Sequence, residues 1–144
     1  MIQYFDGLGR AVQRIDWKGA PNGEDIIAIQ QYNKLGQQTR QYLPYTANKN
    51  GDFTDFSTAK NEQIAFYSDP QATHAWTTYA RSVTQFEASP LYRAVEQGAA
   101  GTAWQPEFSS PGTQSAQEHT MVTSYGTNTT PMLALKVLND GTIM

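Results

Sequence analysis

The sequence holds no cysteine in 144 residues, so it offers no disulfide framework, no thiolate nucleophile and no cysteine-based zinc site. Histidine is nearly as scarce. His74 and His119 stand 45 positions apart, without a local His-x-x-x-His arrangement, which argues against structural zinc. Charge is sparse as well: Asp, Glu, Lys and Arg make up 16% of the chain, the net charge is −3, and the ten basic residues are scattered. A nucleic-acid groove needs concentrated positive surface to displace counterions, and no stretch supplies it. No run approaches the ~20 apolar residues of a membrane-spanning segment. Met1 leads at once into a polar, glycine-rich phrase, so no signal peptide is expected in this segment.

Gln, Thr, Asn, Ser, Gly and Tyr fill the place that charge leaves. Hydrophobic content is 39%, enough for a modest core in one domain over residues 1–144. A chain of this kind must satisfy many polar groups by hydrogen bonding, which suits sheets and ordered turns better than long helices. Eight Tyr, six Phe and three Trp argue against disorder throughout.

One phrase occurs twice. Phe5-Asp6-Gly7-Leu8-Gly9-Arg10 is followed 27 residues later by Tyr32-Asn33-Lys34-Leu35-Gly36-Gln37. Each copy has an aromatic, Asp or Asn, a variable residue, Leu, Gly and a polar residue, then a partly alternating stretch. Spaced repetition of this kind indicates a repetitive β architecture. Asp6, Gly7, Gly9, Asn33 and Gly36 are read as turn residues, with Asp capping local amides and Gly free to take positive φ. Gly9 and Gly36 are expected in comparable turns.

The pattern predicts hairpins from strands over 2–5 and 11–17, and over 26–32 and 37–42. Leu43-Pro44-Tyr45 should break the ladder. A helix is expected over 57–67, capped by Ser57 or Thr58, with Ala59, Gln63 and Phe66 on one side; a second is possible over 70–76. Further strands are expected over 79–86, 91–97, 119–125 and 133–138. The expected core comprises Val12, Ile27, Ile29, Leu35, Phe66, Val83, Phe86, Leu91 and Val95.

Tyr4-Phe5-Asp6-Gly7-Leu8-Gly9-Arg10, Tyr42-Leu43-Pro44-Tyr45, Phe86-Glu87-Ala88-Ser89-Pro90-Leu91 and Glu96-Gln97-Gly98-Ala99 follow one another in a specific order. Together they resemble the uncharacterised N-terminal domain of Bacteroidetes Rhs/YD-repeat proteins, a DUF6443-like domain, over nearly the whole chain. The YD-like signature falls on Phe5, Asp6, Leu8, Gly9 and Arg10, and its second copy on Tyr32, Asn33, Leu35 and Gly36. That copy departs from the pattern with Asn33 for Asp and Gln37 for Arg. The resemblance implies a secreted or cell-surface protein in which YD-repeat hairpins wind into a shell. This segment would belong to that shell or lead into it, as part of a longer polypeptide. No catalytic residues are carried over.

Other candidate sites weigh against plainer readings. Asp52, Asp55, Glu62, Glu87 and Glu96 are carboxylates without a located partner across a substrate, and pairing of Glu87 or Glu96 with Arg93 or Arg81 is the simpler expectation. Ser82, Ser89 and Ser124 lack a nucleophile elbow. His74 and Trp76 beside Tyr79, with Trp17 and Trp104, could form a small pocket for a sugar or a partner protein, against the default of packing on the sheet. Asn128-Thr129-Thr130 matches a glycosylation acceptor but reads as an ordinary loop. The fold expected is mainly β: twisted antiparallel hairpins related to an Rhs/YD-repeat shell, with one or two short central helices. The role expected is non-enzymatic and structural, without cofactor or metal, its partner being the remainder of the same Rhs-like polypeptide. The alternative is a glycan- or protein-binding module using exposed aromatic loops.

Overall fold

Alternation of isoleucine with polar residues builds the central strands. In β3 (Asp25–Gln31), Asp25, Ile27 and Ile29 point into the protein while Ile26, Ala28 and Gln30 face the other way and are half-buried. Its neighbour β2 (Ala11–Asp16) buries Gln13 and Ile15 on the same face. The computed structural model describes residues 1–106 and 119–127. Within them lie β1 (Ile2–Phe5), β2, β3, β4 (Arg40–Tyr42), β5 (Tyr45–Ala47), α1 (Phe56–Tyr67), β6 (Arg81–Phe86), β7 (Ala94–Gly98) and β8 (Met121–Val122), with a single 3-10 turn at Thr102–Trp104.

All pairings are antiparallel, in the order β1-β2-β3-β4-β6-β7-β8. After Tyr42 the chain is interrupted at Leu43-Pro44, where proline cannot donate to a ladder. It resumes as β5, which pairs with the first half of β3 while β4 pairs with the second half. The fold is therefore mainly β, as the residue pattern predicts.

Helix α1 covers one face. Ile15, Ile27, Ile29, Tyr42, Tyr45 and Ala59 form the core, with Phe56, Phe66 and Tyr67 packed on it. Each fully buried isoleucine contributes about 1.5–3 kcal/mol of transfer free energy. The helix starts at Asp55, whose carboxylate accepts the Thr58 amide at 3.1 Å, rather than at Ser57 or Thr58. Asp55 wins because its oxygen reaches the third helical amide and its charge faces the positive helix end. Ala59 and Gln63 are buried against the sheet, and Gln63 Nε2 donates to the carbonyls of Leu43 and Ala80.

Several expectations need correction. Residues 70–76 form turns and bends instead of a second helix, and the other short helical element is Thr102–Trp104. Pro70 and Asp69 favour the turn, with the Gln71 amide bonded to Asp69 Oδ1 at 2.9 Å. Leu35 and Leu91 are exposed, and Val12, Phe86 and Val95 are only half-buried. The strands expected over 37–42, 79–86, 91–97 and 119–125 are shorter, at Arg40–Tyr42, Arg81–Phe86, Ala94–Gly98 and Met121–Val122. The strand over 133–138 and the Asn128 motif lie outside the described residues.

Candidate functional site

Hairpin turns recur along one end of the sheet. In the first, the Gly9 amide donates to the Asp6 carbonyl at 3.0 Å and the Asp6 amide to the Arg10 carbonyl at 2.9 Å. The Asp6 carboxylate accepts the amides of Leu8 and Arg10, each at 2.9 Å, and pairs with the Arg10 guanidinium. The Arg10 amide, then its guanidinium, hold the Asp6 carboxyl below its usual range. Gly9 closes the turn at φ 74°. Gly7 needs no such geometry.

The second turn repeats the design with neutral groups. Gly36 takes φ 78°, its amide donates to the Asn33 carbonyl at 3.0 Å, and Asn33 Oδ1 accepts the amides of Leu35 and Gln37. Asn33 Nδ2 donates to Gln37 Oε1 at 2.8 Å. The departures Asp→Asn and Arg→Gln thus occur together, replacing an ion pair by an amide pair while keeping the backbone contacts.

A third turn, between β6 and β7, carries the same parts with two residues added. Phe86-Glu87 opens it and Leu91-Tyr92-Arg93-Ala94 closes it, as Phe5-Asp6 and Leu8-Gly9-Arg10-Ala11 do in the first. The Glu87 amide donates to the Arg93 carbonyl at 3.0 Å, and Arg93 binds Glu87 through Nε and a second guanidinium nitrogen at 2.8 and 2.9 Å. Arg93 and then Ser89 hold the Glu87 carboxyl down to about 2. Tyr92 takes φ 48°, the left-handed conformation glycine supplies in the other two turns. The ladder shifts register at Tyr4/Phe5 and at Gln85/Phe86, the corresponding place in each hairpin. Leu8, Leu35 and Leu91, 78%, 62% and 69% exposed, are the equivalent leucine at each turn tip.

The strand that follows each hairpin brings an aromatic residue to it. With Arg14 opposite Ala28, Arg10 falls opposite Tyr32, and its guanidinium lies 4.6 Å above the Tyr32 ring. With Glu96 opposite Val122, Arg93 falls opposite Tyr125 at 4.1 Å. Tyr32 donates its hydroxyl to the Ala11 carbonyl at 3.0 Å, and Tyr125 to that of Ala94 at 3.1 Å. In the middle hairpin the register places Gln37 opposite Phe86, a pair with neither the guanidinium nor the phenol of the other two. An open cleft of ≈ 560 Å³ lies there, lined by Leu35, Gln37, Phe86 and Tyr92 among others.

Buried polar side chains tie the loops to this sheet. Asp25 accepts the amides of Lys18 at 2.7 Å and Gly51 at 2.8 Å, and Gln13 Oε1 accepts that of Thr54 at 3.0 Å. Glu96 stands in its hairpin where Gln13 stands in the first, and accepts the Thr120 hydroxyl at 2.8 Å. Pairing of Glu87 with Arg93 was legible in the sequence; the anchoring roles of Asp25 and Gln13 were not. Their signal is parity, a polar residue on the isoleucine face of a strand.

The aromatic candidates divide. Trp17, Trp76 and Trp104 are 56%, 58% and 45% exposed, so none packs into the sheet. Trp76 and Trp104 line one cleft of ≈ 370 Å³ with Leu43, Tyr67 and Thr102. Trp17 lies elsewhere, with Lys18 Nζ 5.1 Å above its ring. His74 faces inward: it stacks on Phe66 with ring centroids 4.3 Å apart and its Nε2 lies 2.9 Å from the Phe66 carbonyl. It fastens the end of α1 and does not line the cleft. Among the described residues no group of three or more His, Asp or Glu side chains could hold a metal ion, and no helix is long and apolar enough to cross a membrane.

Neither the curated proteins nor the solved structures include a match to the chain. One family model matches residues 1–120, spanning all three turns and the 3-10 turn beyond them. The chain belongs to that family, the domain of unknown function DUF6443.

Proposed function

We propose that the chain is a non-enzymatic structural segment of a large secreted or surface Rhs-like protein, contributing to its β shell or leading into it. The observation that carries this reading is the threefold turn: aromatic, Asx or Glu, leucine at the tip, a left-handed residue, then Arg or Gln facing the aromatic of the next strand. The first hairpin is completed by Tyr32, which belongs at once to the second turn and to the Arg10 stack, and the third by Tyr125. Such an arrangement extends by addition of further hairpins, and its stability grows through nearest-neighbour contacts. The outer edge of β1, which pairs with β2 alone among the described strands, presents unpaired backbone groups to a neighbour.

Hydrogen exchange on the isolated chain and on the whole natural polypeptide tests this role. The outward amides of β1 or of β8 should exchange at least about tenfold more slowly in the whole polypeptide, because a ladder bond must open first. Equal rates at both edges would oppose the shell assignment.

A further inference from the structure

Opposite the row of turns, at the other end of the strands, the sheet carries an aromatic cleft that the shell role does not use. We infer that this cleft, centred on Trp76 and Trp104, binds a neutral carbohydrate.

Both indoles are held with their rings open to solvent. Trp76 donates its Nε1–H to the Ser68 carbonyl at 2.9 Å, and Trp104 meets the His119 ring edge-on with centroids 5.1 Å apart. Gly98 lets the chain bring Trp104 this close to the sheet, since a Cβ there would overlap the Trp104 carbonyl oxygen. Rings fixed before the ligand arrives bind it at a lower entropic cost. A flat indole face suits the C–H face of a sugar ring, and no charge is needed.

Trp104 also belongs to a second cleft, of ≈ 430 Å³, on the sheet face turned away from α1. There Gln41 lies opposite Ser82, and Thr84 opposite Gln97, giving a strip of amides and hydroxyls across β4, β6 and β7. These four side chains offer donors and acceptors of both kinds to sugar hydroxyls. Among the described residues no Lys, Arg, Asp or Glu lines either cleft. An acidic or sulfated ligand would find no counter-charge among the described residues, and an apolar peptide would leave the amide strip unpaired. A neutral oligosaccharide matches the aromatic and the hydroxyl-bonding halves together.

Calorimetric and tryptophan-fluorescence titration of the full chain against cellohexaose, laminarihexaose, xylohexaose, mannohexaose and chitohexaose tests the inference. Saturable binding of at least one of them is expected, weakened about tenfold by Trp104→Ala and by Trp76→Ala, the loss of one stacking platform. Gln97→Ala, on an exposed strand position outside the core, should weaken it about threefold with the fold intact by circular dichroism. Trp17→Ala should leave affinity unchanged. Absence of saturable binding across these sugars would overturn the inference. So would an equal loss in Trp17→Ala, or tighter binding of hexagalacturonate or of an apolar tryptophan-rich peptide than of any neutral sugar. None of these outcomes depends on the edge contacts that test the shell role.

Discussion

Asp25 accepts two backbone amides from a position 2% exposed, and the donors prevail over the cost of its burial. The Lys18 amide is the larger cause that holds its carboxyl below the usual range. Because that value is lower folded than unfolded, the stabilisation is present above the ordinary carboxylate range and is lost as pH falls through the folded value. Asp25→Asn keeps the volume but sets an N–H against a backbone N–H, at a cost of about 2 kcal/mol near neutrality. Urea unfolding should show the gap to the parent narrowing between pH 7 and pH 3; a gap constant with pH would remove the charge from the explanation. Glu87 obeys the same sign with a partner that can be deleted. Its carboxyl should titrate near 2 by NMR, and Arg93→Ala should return it towards the ordinary 4.5. An unmoved midpoint would mean that Ser89 and the turn amides suffice.

The hairpin turn is where single residues act as elements. Gly9 has open space around its missing Cβ, so the side chain added in Gly9→Val meets backbone strain first. At φ 74° that strain should cost about 2 kcal/mol, since a β-branched side chain fits the left-handed region badly. Tyr92 bears the corresponding strain already. Tyr92→Gly should therefore stabilise by about 0.5 kcal/mol, the relief of about 1–2 kcal/mol being partly offset by the entropy of glycine. Chemical denaturation of both variants checks the pair of opposite signs, and a loss in Tyr92→Gly would break the equivalence of the turns. Two turns were legible in the sequence because their six-residue phrases are contiguous and equally spaced. The third was hidden by two added residues, Ser89-Pro90 falling within its span, and by Tyr in place of Gly. Leu35 and Leu91 misled for a related reason: an apolar residue was assigned to the core where the turn holds it at the tip. The cleft was illegible beyond its residue types, for Trp76 and Trp104 share no period, and only the path from β7 into the 3-10 turn brings them together.

At the scale of the molecule, one sheet serves two ends. The helix covers one face and leaves polar side chains on the other, the arrangement an antiparallel sheet permits. Turns gather at one end of the strands and the tryptophan cleft at the other, so an assembly that extends the sheet sideways leaves both accessible. The register supports this sideways growth, since Arg10, Gln37 and Arg93 each face the aromatic at the end of the next strand. The most direct measurement is a structure of the whole natural polypeptide that contains this chain. The expected result is a further hairpin joined by backbone hydrogen bonds to the outer edge of β1 or β8, in the register that sets arginine or glutamine against an aromatic. A unit whose two edges both face solvent, hung on a flexible tether, would contradict the proposed role.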